Sequence, residues 1–269
     1  MDLELKGKNA LVTGSSRGLG FATAQLLARE GANVVLNSRS PEGVAQASQK
    51  ITASLDQSAQ NQVKVIGLAG DVTRPEVPGQ LVCQAAAELG GLDLLVTNAG
   101  GPPSGAFESF DDNAWYQAIE ASLMSHVRLI RAALPYLRQS TSPSVLTITS
   151  YSVKQPVPNL VLSNSIRAAT VGLTKTLALE LGREQIRFNS ILPAAIDTER
   201  IQQLIAIRAK TNATSPEEEM RRQSQESPLG RIGTPEEFAR AAVFLLSPAA
   251  SFITGVMLTV DGGMYKGTL

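Results

Sequence analysis

The eight residues Thr13-Gly14-Ser15-Ser16-Arg17-Gly18-Leu19-Gly20 decide the fold of this 269-residue chain. They follow a short apolar run at 9–13 and lead into residues 19–30, where apolar side chains recur at helical spacing. Glycines here permit a tight turn and a close approach of the backbone to a pyrophosphate, whose charge the N-terminus of a helix stabilises. The stretch therefore predicts a strand, a phosphate-binding turn and a helix.

The rest of the chain repeats this alternation of strands and helices. Short runs rich in β-branched residues predict strands, at 9–13, 33–37, 63–68, 93–97, 144–149, 186–192 and 256–260. Longer stretches of helical periodicity predict helices, at 19–30, 44–55, 78–89, 114–139, 161–182 and 235–246. Such alternation is typical of a doubly wound α/β fold with a parallel sheet, because crossover helices cover both of its faces.

No repeat, linker or step in composition divides the chain, so we expect one Rossmann-type domain over residues 1–269. Residues 199–230 form a long polar stretch that departs from the alternation. Insertions of this size in a compact domain are often lids, and we predict that this one covers a substrate.

Composition excludes several classes of protein. Lys plus Arg and Asp plus Glu both number 24, so no net positive field favours nucleic acid or an anionic membrane. No apolar run is long enough for a membrane span, and residues 1–8 lack a signal-peptide core, which predicts a cytoplasmic protein. One cysteine, Cys83, and one histidine, His126, predict no disulfide and no metal site, with Cys83 in the core.

Several motifs resemble the short-chain dehydrogenase/reductase family, and their style is closest to the 3-oxoacyl-carrier-protein reductases. The glycine turn has the spacing Thr-Gly-x-x-x-Gly-x-Gly, and residues 187–193, 231–237 and 253–263 are similar to the family's later motifs. Ala194 stands where the family has a glycine. The resemblance implies a nicotinamide dinucleotide held by Gly14, Ser16, Arg17, Gly18, Leu19, Gly20, Ser38, Arg39, Asp71, Val72, Asn98, Ala99, Gly100, Arg167, Pro193, Ile196 and Thr198.

The preferred cofactor is predicted from charge at the end of the second strand. NAD-binding members of the family carry an Asp there, which bonds the ribose hydroxyls and repels a 2′-phosphate. This chain has Ser38, followed by Arg39, with Arg17 in the glycine turn. Two guanidinium groups favour NADP(H) over NAD(H), because they form charge-assisted hydrogen bonds with a phosphate.

The resemblance implies a catalytic tetrad of Asn, Ser, Tyr and Lys, and this chain departs from it at three positions. The segment 168–175 aligns with the family helix that follows the Tyr-x-x-x-Lys pair, which places Ser163 at the Tyr position and Arg167 at the Lys position. The family's spacing of thirteen residues identifies Ser150 as the retained serine, and Ser122 takes the place of the Asn. A serine hydroxyl is a much weaker acid than a phenol, and Arg167 keeps its proton.

Tyr151 is an alternative source of the proton. It directly follows Ser150 at the end of the fifth predicted strand, although neighbouring residues on a strand point to opposite sides, so it could instead line the substrate pocket. His126 falls on the same helical face as Ser122, where a hydrogen-bonded packing role is the ordinary one.

Two functions remain from these observations. The first is an NADP(H)-dependent carbonyl reductase or alcohol dehydrogenase with an altered proton-delivery site, acting on a small-molecule carbonyl or alcohol. The second is a dinucleotide-binding protein with little or no catalysis, in regulation or as a partner subunit. A cofactor-free lyase similar to the halohydrin dehalogenases fits poorly, because those relatives keep the Tyr and lose the glycine turn. The resemblance further implies a homotetramer.

Overall fold

The computed structural model describes residues 2–268, which form seven strands and ten α-helices. In chain order these are β1 (Asn9–Val12), α1 (Gly18–Arg29), β2 (Asn33–Ser38), α2 (Pro41–Ser54), α3 (Gln57–Gln60), β3 (Val65–Ala69), α4 (Val77–Leu89), β4 (Leu94–Thr97), α5 (Asp112–Ile119), α6 (Ser125–Leu137), β5 (Ser144–Ile148), α7 (Val161–Leu181), β6 (Arg187–Pro193), α8 (Glu199–Asn212), α9 (Pro216–Glu226), α10 (Pro235–Leu246) and β7 (Met257–Val260).

The seven strands form one parallel sheet in the order β3-β2-β1-β4-β5-β6-β7. The chain first builds outward from β1 to β3 and then crosses back to place β4 on the other side of β1. Helices that leave β1 and β4 therefore diverge, and a crevice opens at the carboxyl ends of these strands. The predicted doubly wound α/β fold is confirmed.

The core lies on both faces of the sheet. In β1, Ala10 and Val12 belong to the apolar cluster covered by α1, α2 and α10, while Leu11 belongs to the cluster covered by α4, α6 and α7. All three side chains are fully buried. Successive residues of a strand point to opposite faces, so a central strand of a two-sided sheet must be apolar throughout. This explains why the predicted strands read as continuous apolar runs.

Two stretches differ in detail from the sequence prediction. The predicted helix at 114–139 is α5 and α6, joined without a break by the π-helical turn Glu120–Met124. The polar stretch 199–230 is largely helical, because α8 and α9 lie within it.

The expectation that Cys83 lies in the core is wrong, since its side chain is exposed. The buried side of α4 is formed by Leu81, Val82, Ala85 and other residues at helical spacing, and Cys83 falls on the other side.

Within residues 2–268, no helix is both long and apolar enough to cross a bilayer.

Candidate active site

A cleft of about 490 Å³ opens at the carboxyl ends of the central strands. Its walls come from the loops that follow β1, β4, β5 and β6 and from α7, α8 and α9. Twelve of the predicted cofactor residues line it: Gly14, Arg17, Gly18, Leu19, Arg39, Asn98, Ala99, Gly100, Arg167, Pro193, Ile196 and Thr198. The sequence motifs are far apart along the chain, and the fold brings them to one surface.

The turn between β1 and α1 has a shape that only glycine permits. A Cβ on Gly20 would lie 2.4 Å from the carbonyl oxygen of Gly14, and a Cβ on Gly14 would lie 2.8 Å from that of Asn98. Gly14 also has a φ of +57°, in the left-handed region. Close packing of backbone on backbone therefore holds the turn against the start of α1.

The N-terminus of α1 fits a phosphate group. The first-turn N–H groups of a helix have no partner within the helix, and here no side chain caps them and no acidic residue lies in that turn. Arg17, at the N-cap, adds a positive charge at the same end. These groups would hold the pyrophosphate of a nicotinamide dinucleotide, which when bound supplies the hydride.

Asn98 connects the glycine turn to β4. Its side-chain amide donates to the carbonyl of Gly14 at 3.0 Å, and its backbone N–H donates to Thr13 Oγ1 at 2.9 Å. The Thr13 hydroxyl in turn donates to the carbonyl of Asn98 at 2.8 Å. This network joins the loop after β1 to the loop after β4, on the two sides of the crevice. It gives Thr13 of the glycine turn and Asn98 of the Asn98-Ala99-Gly100 motif a structural role.

Ser38, Arg39 and Arg17, which were predicted to favour NADP(H), differ in exposure and in bonding. Arg39 is exposed and lines the cleft, whereas Ser38 is buried, does not line it, and donates its hydroxyl to the carbonyl of Ser40 at 3.1 Å. Arg17 forms an ion pair with Glu199, the first residue of α8, and both side chains are more than half exposed. One of the two predicted phosphate-binding arginines is thus already paired with a carboxylate.

Four of the five predicted catalytic residues line the same cleft. Ser150 and Tyr151 follow β5, and Ser163 and Arg167 lie one turn apart on α7. The Ser150 hydroxyl accepts a hydrogen bond from the backbone N–H of Ser152 at 3.2 Å, which orients it.

Arg167 is half-buried, and its Nη1 donates to the carbonyls of Ile148 and Thr149 at 3.2 and 3.0 Å. Desolvation, with a smaller contribution from the charge of Arg200, lowers the pKa of Arg167 to about 10. The group remains positively charged at neutral pH. It is therefore a fixed cation beside the carboxyl end of β5.

The pKa of Tyr151 is raised, whereas a cation that activates a phenol lowers its pKa. Burial raises its pKa, the negative charges of Glu226 and Asp261 raise it further, and Arg208 only partly offsets this. The phenol thus holds its proton more firmly than a free tyrosine does. It can donate that proton to a strong base such as an alkoxide, but it is poorly suited to remove one from an alcohol.

Ser122 lies in the core behind the cleft and does not line it. It is buried in the π-helical turn, its hydroxyl lacks a hydrogen-bond partner, and its carbonyl accepts a hydrogen bond from Thr170 Oγ1 on α7. His126 is also buried, with its Nδ1 2.6 Å from Thr97 Oγ1. Desolvation, together with the charge of Arg167, lowers the pKa of His126 to about 3, so the ring is neutral at neutral pH.

Five predicted cofactor residues also lie outside the lining of the cleft: Ser16, Gly20, Ser38, Asp71 and Val72. Arg200 and Arg208 of α8 also line the cleft and were not predicted from the sequence. Arg200 follows Thr198 by two residues, so its closeness to a motif was the available signal. Residues 2–268 contain no cluster of three or more His, Cys, Asp or Glu side chains that could hold a metal.

Comparison with known proteins identifies the family. Residues 14–265 match the family model described as enoyl-(acyl carrier protein) reductase. The 3-oxoacyl-[acyl-carrier-protein] reductase FabG of Chlamydia muridarum is 32% identical over 265 residues, covering 98% of this chain and 100% of the relative. The L-rhamnose 1-dehydrogenase (NAD(P)(+)) of a Sphingomonas species is 32% identical over 262 residues, covering 97% of each.

Among solved structures, the L-sorbose reductase of Gluconobacter frateurii, crystallised with NADPH and L-sorbose, superimposes with a TM-score of 0.92. It is 32% identical, and the match covers 99% of this chain and 100% of the reductase. The fold, the cleft and these relatives agree, and the chain belongs to the short-chain dehydrogenase/reductase family of oxidoreductases, in the part that the enoyl-(acyl carrier protein) reductase model describes.

Proposed function

We propose that this protein is an NADP(H)-dependent carbonyl reductase in which Ser163 and Arg167 replace the family's Tyr and Lys. The observation that carries the proposal is that Ser150, Tyr151, Ser163 and Arg167 line the same cleft as the glycine turn and Thr198. A bound nicotinamide would therefore meet a substrate carbonyl next to these groups. The FabG and sugar reductase relatives support reduction of a carbonyl.

Each residue has a defined part in this scheme. Ser150 orients the substrate carbonyl through its hydroxyl, and Arg167 is a fixed cation beside the carboxyl end of β5. Hydride transfer then requires mainly proximity and orientation from the protein. The proton that completes the reduction comes from Tyr151, whose pKa is raised by burial, or from water. The raised pKa keeps the Tyr151 phenol protonated, which is the form that a general acid needs.

Single substitutions test these roles. Tyr151→Phe removes only the hydroxyl, and loss of a general acid is expected to lower kcat by about 100-fold or more at unchanged NADPH affinity. Ser150→Ala is expected to lower kcat while cofactor affinity stays nearly constant. If Tyr151→Phe keeps wild-type kcat over the pH range, water is the proton donor and Tyr151 only lines the pocket.

A double substitution tests the alternative that the protein binds a dinucleotide without catalysis. Ser163→Tyr with Arg167→Lys restores the family's pair at positions that both line the cleft. A wild type inactive on a panel of ketones and aldehydes with either cofactor, together with an active double variant, would replace the reductase proposal by the binding one. We expect the wild type to be active.

We further propose that the protein assembles as a homotetramer and that residues 199–230 act as its substrate lid. Large apolar side chains lie exposed at Leu179 on α7 and at Phe252 before β7, where a second copy would cover them. The lid proposal is supported by the residues of α8 and α9 that line the cleft. Light scattering that found only a monomer at micromolar concentration would refute the tetramer.

A further inference from the structure

Two guanidinium groups approach one point at the mouth of the cleft. A Cβ built on Gly101 would lie 3.5 Å from Arg167 Nη2 and 3.9 Å from Arg200 Nη2. Apart from the residues next to Gly101 in the chain, no other heavy atom lies within 4 Å of that point. Both arginines line the cleft, so the gap between them opens into the site.

Neither cation has a carboxylate partner among residues 2–268. Arg167 donates only to the carbonyls of Ile148 and Thr149, and Arg200 donates to the carbonyl of Pro102 at 3.0 Å. Five other arginines of the described chain form ion pairs, namely Arg17, Arg128, Arg138, Arg222 and Arg231. Holding a desolvated charge beside a like charge is unfavourable, and an anion between the two would relieve it.

Apolar side chains also line this cleft, and they indicate that the molecule carrying the anionic group has an apolar part. Val157 and Leu160 precede α7, Ile201 and Leu204 lie on α8, and Met264 follows β7. All five line the same cleft as Arg167 and Arg200, so the cleft also offers apolar surface to a hydrocarbon body. A wholly polar ligand would leave this surface unused.

We propose that Arg167 and Arg200 form a subsite for the carboxylate of the substrate, so that the enzyme reduces an oxo acid with an apolar body. This rests on the proposed reductase function. Arg167 Nη1 contacts the carbonyl of Thr149, the residue before Ser150, so the carboxylate lies close to the carbonyl that Ser150 orients. A 2-oxo acid, in which the oxo group is next to the carboxylate, is the simplest ligand that fits this arrangement. Planar guanidinium groups suit a carboxylate because they donate two parallel hydrogen bonds.

Position distinguishes this subsite from the one predicted for the cofactor phosphates. The phosphate-binding end of the cleft is formed by the N-terminus of α1 with Arg17 and Arg39. Arg200 is instead hydrogen-bonded to Pro102, within the loop 101–107 that follows the Asn98-Ala99-Gly100 motif. Arg208 also lines the cleft, but its guanidinium already donates to Gln223 Oε1 at 2.6 Å.

The test uses 4-phenyl-2-oxobutanoate and its ethyl ester, which differ in charge but share the oxo group and the apolar body. Binding of each to the NADP⁺-loaded protein is measured by calorimetry, and reduction by NADPH is measured in parallel. Arg200→Ala is expected to weaken binding of the acid at least tenfold, to leave the ester unchanged, and to change NADP⁺ affinity less than twofold. Arg200→Lys is expected to recover part of the acid binding.

The matched control is Arg221→Ala, which removes an exposed arginine of α9 that lies outside the lining of the cleft. It is expected to behave as wild type toward both probes. Equal binding of acid and ester by the wild type would overturn the subsite. The subsite would also be overturned if Arg200→Ala lost NADP⁺ affinity while the ratio of acid affinity to ester affinity stayed at the wild-type value. Arg200 would then bind the cofactor and not the substrate.

The two proposals fail in different ways. Arg200-dependent binding of the acid without any reduction would support the subsite and refute the reductase function. Reduction of acid and ester at equal kcat/KM would support the function and refute the subsite.

Discussion

The two ends of the cleft are built from different parts of the polypeptide. At the phosphate end, beside β1 and β4, glycine backbone and a Thr13–Asn98 hydrogen-bond network make the shape, and the family's residue pattern is intact. At the substrate end, beside β5, α7 and α8, side chains line the cleft, and the sequence predicts that the family's catalytic pattern is changed at three of four positions. A backbone-built site tolerates little change, whereas a side-chain site can change while the scaffold stays in place.

The largest expected effect comes from Gly20→Ala at the phosphate end. Its Cβ would meet the carbonyl oxygen of Gly14 at 2.4 Å, so the turn must open. We expect loss of NADPH binding and a destabilisation of about 1–3 kcal/mol, as for overpacking elsewhere. NADPH titration by calorimetry and thermal unfolding measure the two effects.

Gly172→Ala on α7 is the control for that substitution, because a Cβ there meets nothing within 4 Å. It should bind NADPH normally and unfold at the same or a higher temperature, since alanine favours a helix. If both variants bind NADPH equally, the turn is not built as we describe.

The next effect concerns Arg39, the exposed cleft-lining arginine at the end of β2. Hydrogen bonds to charged groups contribute about 1.5–3 kcal/mol, so Arg39→Ala is expected to weaken NADPH binding by about 10- to 100-fold and to leave NADH nearly unchanged. Arg29→Ala, at the last turn of α1, is the control. Tighter binding of NADH than of NADPH by the wild type would contradict the cofactor prediction.

A smaller effect is expected from His126, behind the substrate end. Its folded pKa of about 3 lies below the unfolded value of 6.5, so the unfolded chain takes up the proton first as the pH falls. Its contribution to stability is present above pH 6.5 and decreases below it, by about 2 kcal/mol at pH 5. Urea unfolding at pH 7 and pH 5 should therefore show a loss in the wild type that exceeds the loss in His126→Gln. Equal losses would mean that the imidazole titrates normally.

The smallest effect is expected from Glu199→Gln, which breaks the exposed ion pair between the two ends of the cleft. Exposed pairs contribute less than about 1 kcal/mol, so stability should hardly change. The freed Arg17 should bind NADPH slightly more tightly, by less than about fivefold. Glu218→Gln, which removes an i,i+4 partner of Arg222, is the control. Weaker NADPH binding in Glu199→Gln would show that the pair positions Arg17.

The catalytic assignments show where prediction from sequence reaches its limit. Spacing identified Ser150, Ser163 and Arg167 as candidates, and all three line the cleft. Spacing also proposed Ser122, but the π-helical turn buries its side chain and directs its carbonyl to Thr170. The sequence carries no signal for the π-helical turn Glu120–Met124, so the direction of the Ser122 side chain could not be predicted.

The sequence by itself determined the order of strands and helices along the chain, the parallel sheet and the glycine turn between β1 and α1, because apolar periodicity and glycine act over neighbouring residues. Only the tertiary structure decided that Gly101, Arg167 and Arg200 meet at one point, that Arg17 is paired with Glu199, and that Cys83 is exposed. These facts depend on contacts between residues far apart in the chain. A local sequence pattern carries no information about such contacts, because they form only when the sheet and its loops are assembled.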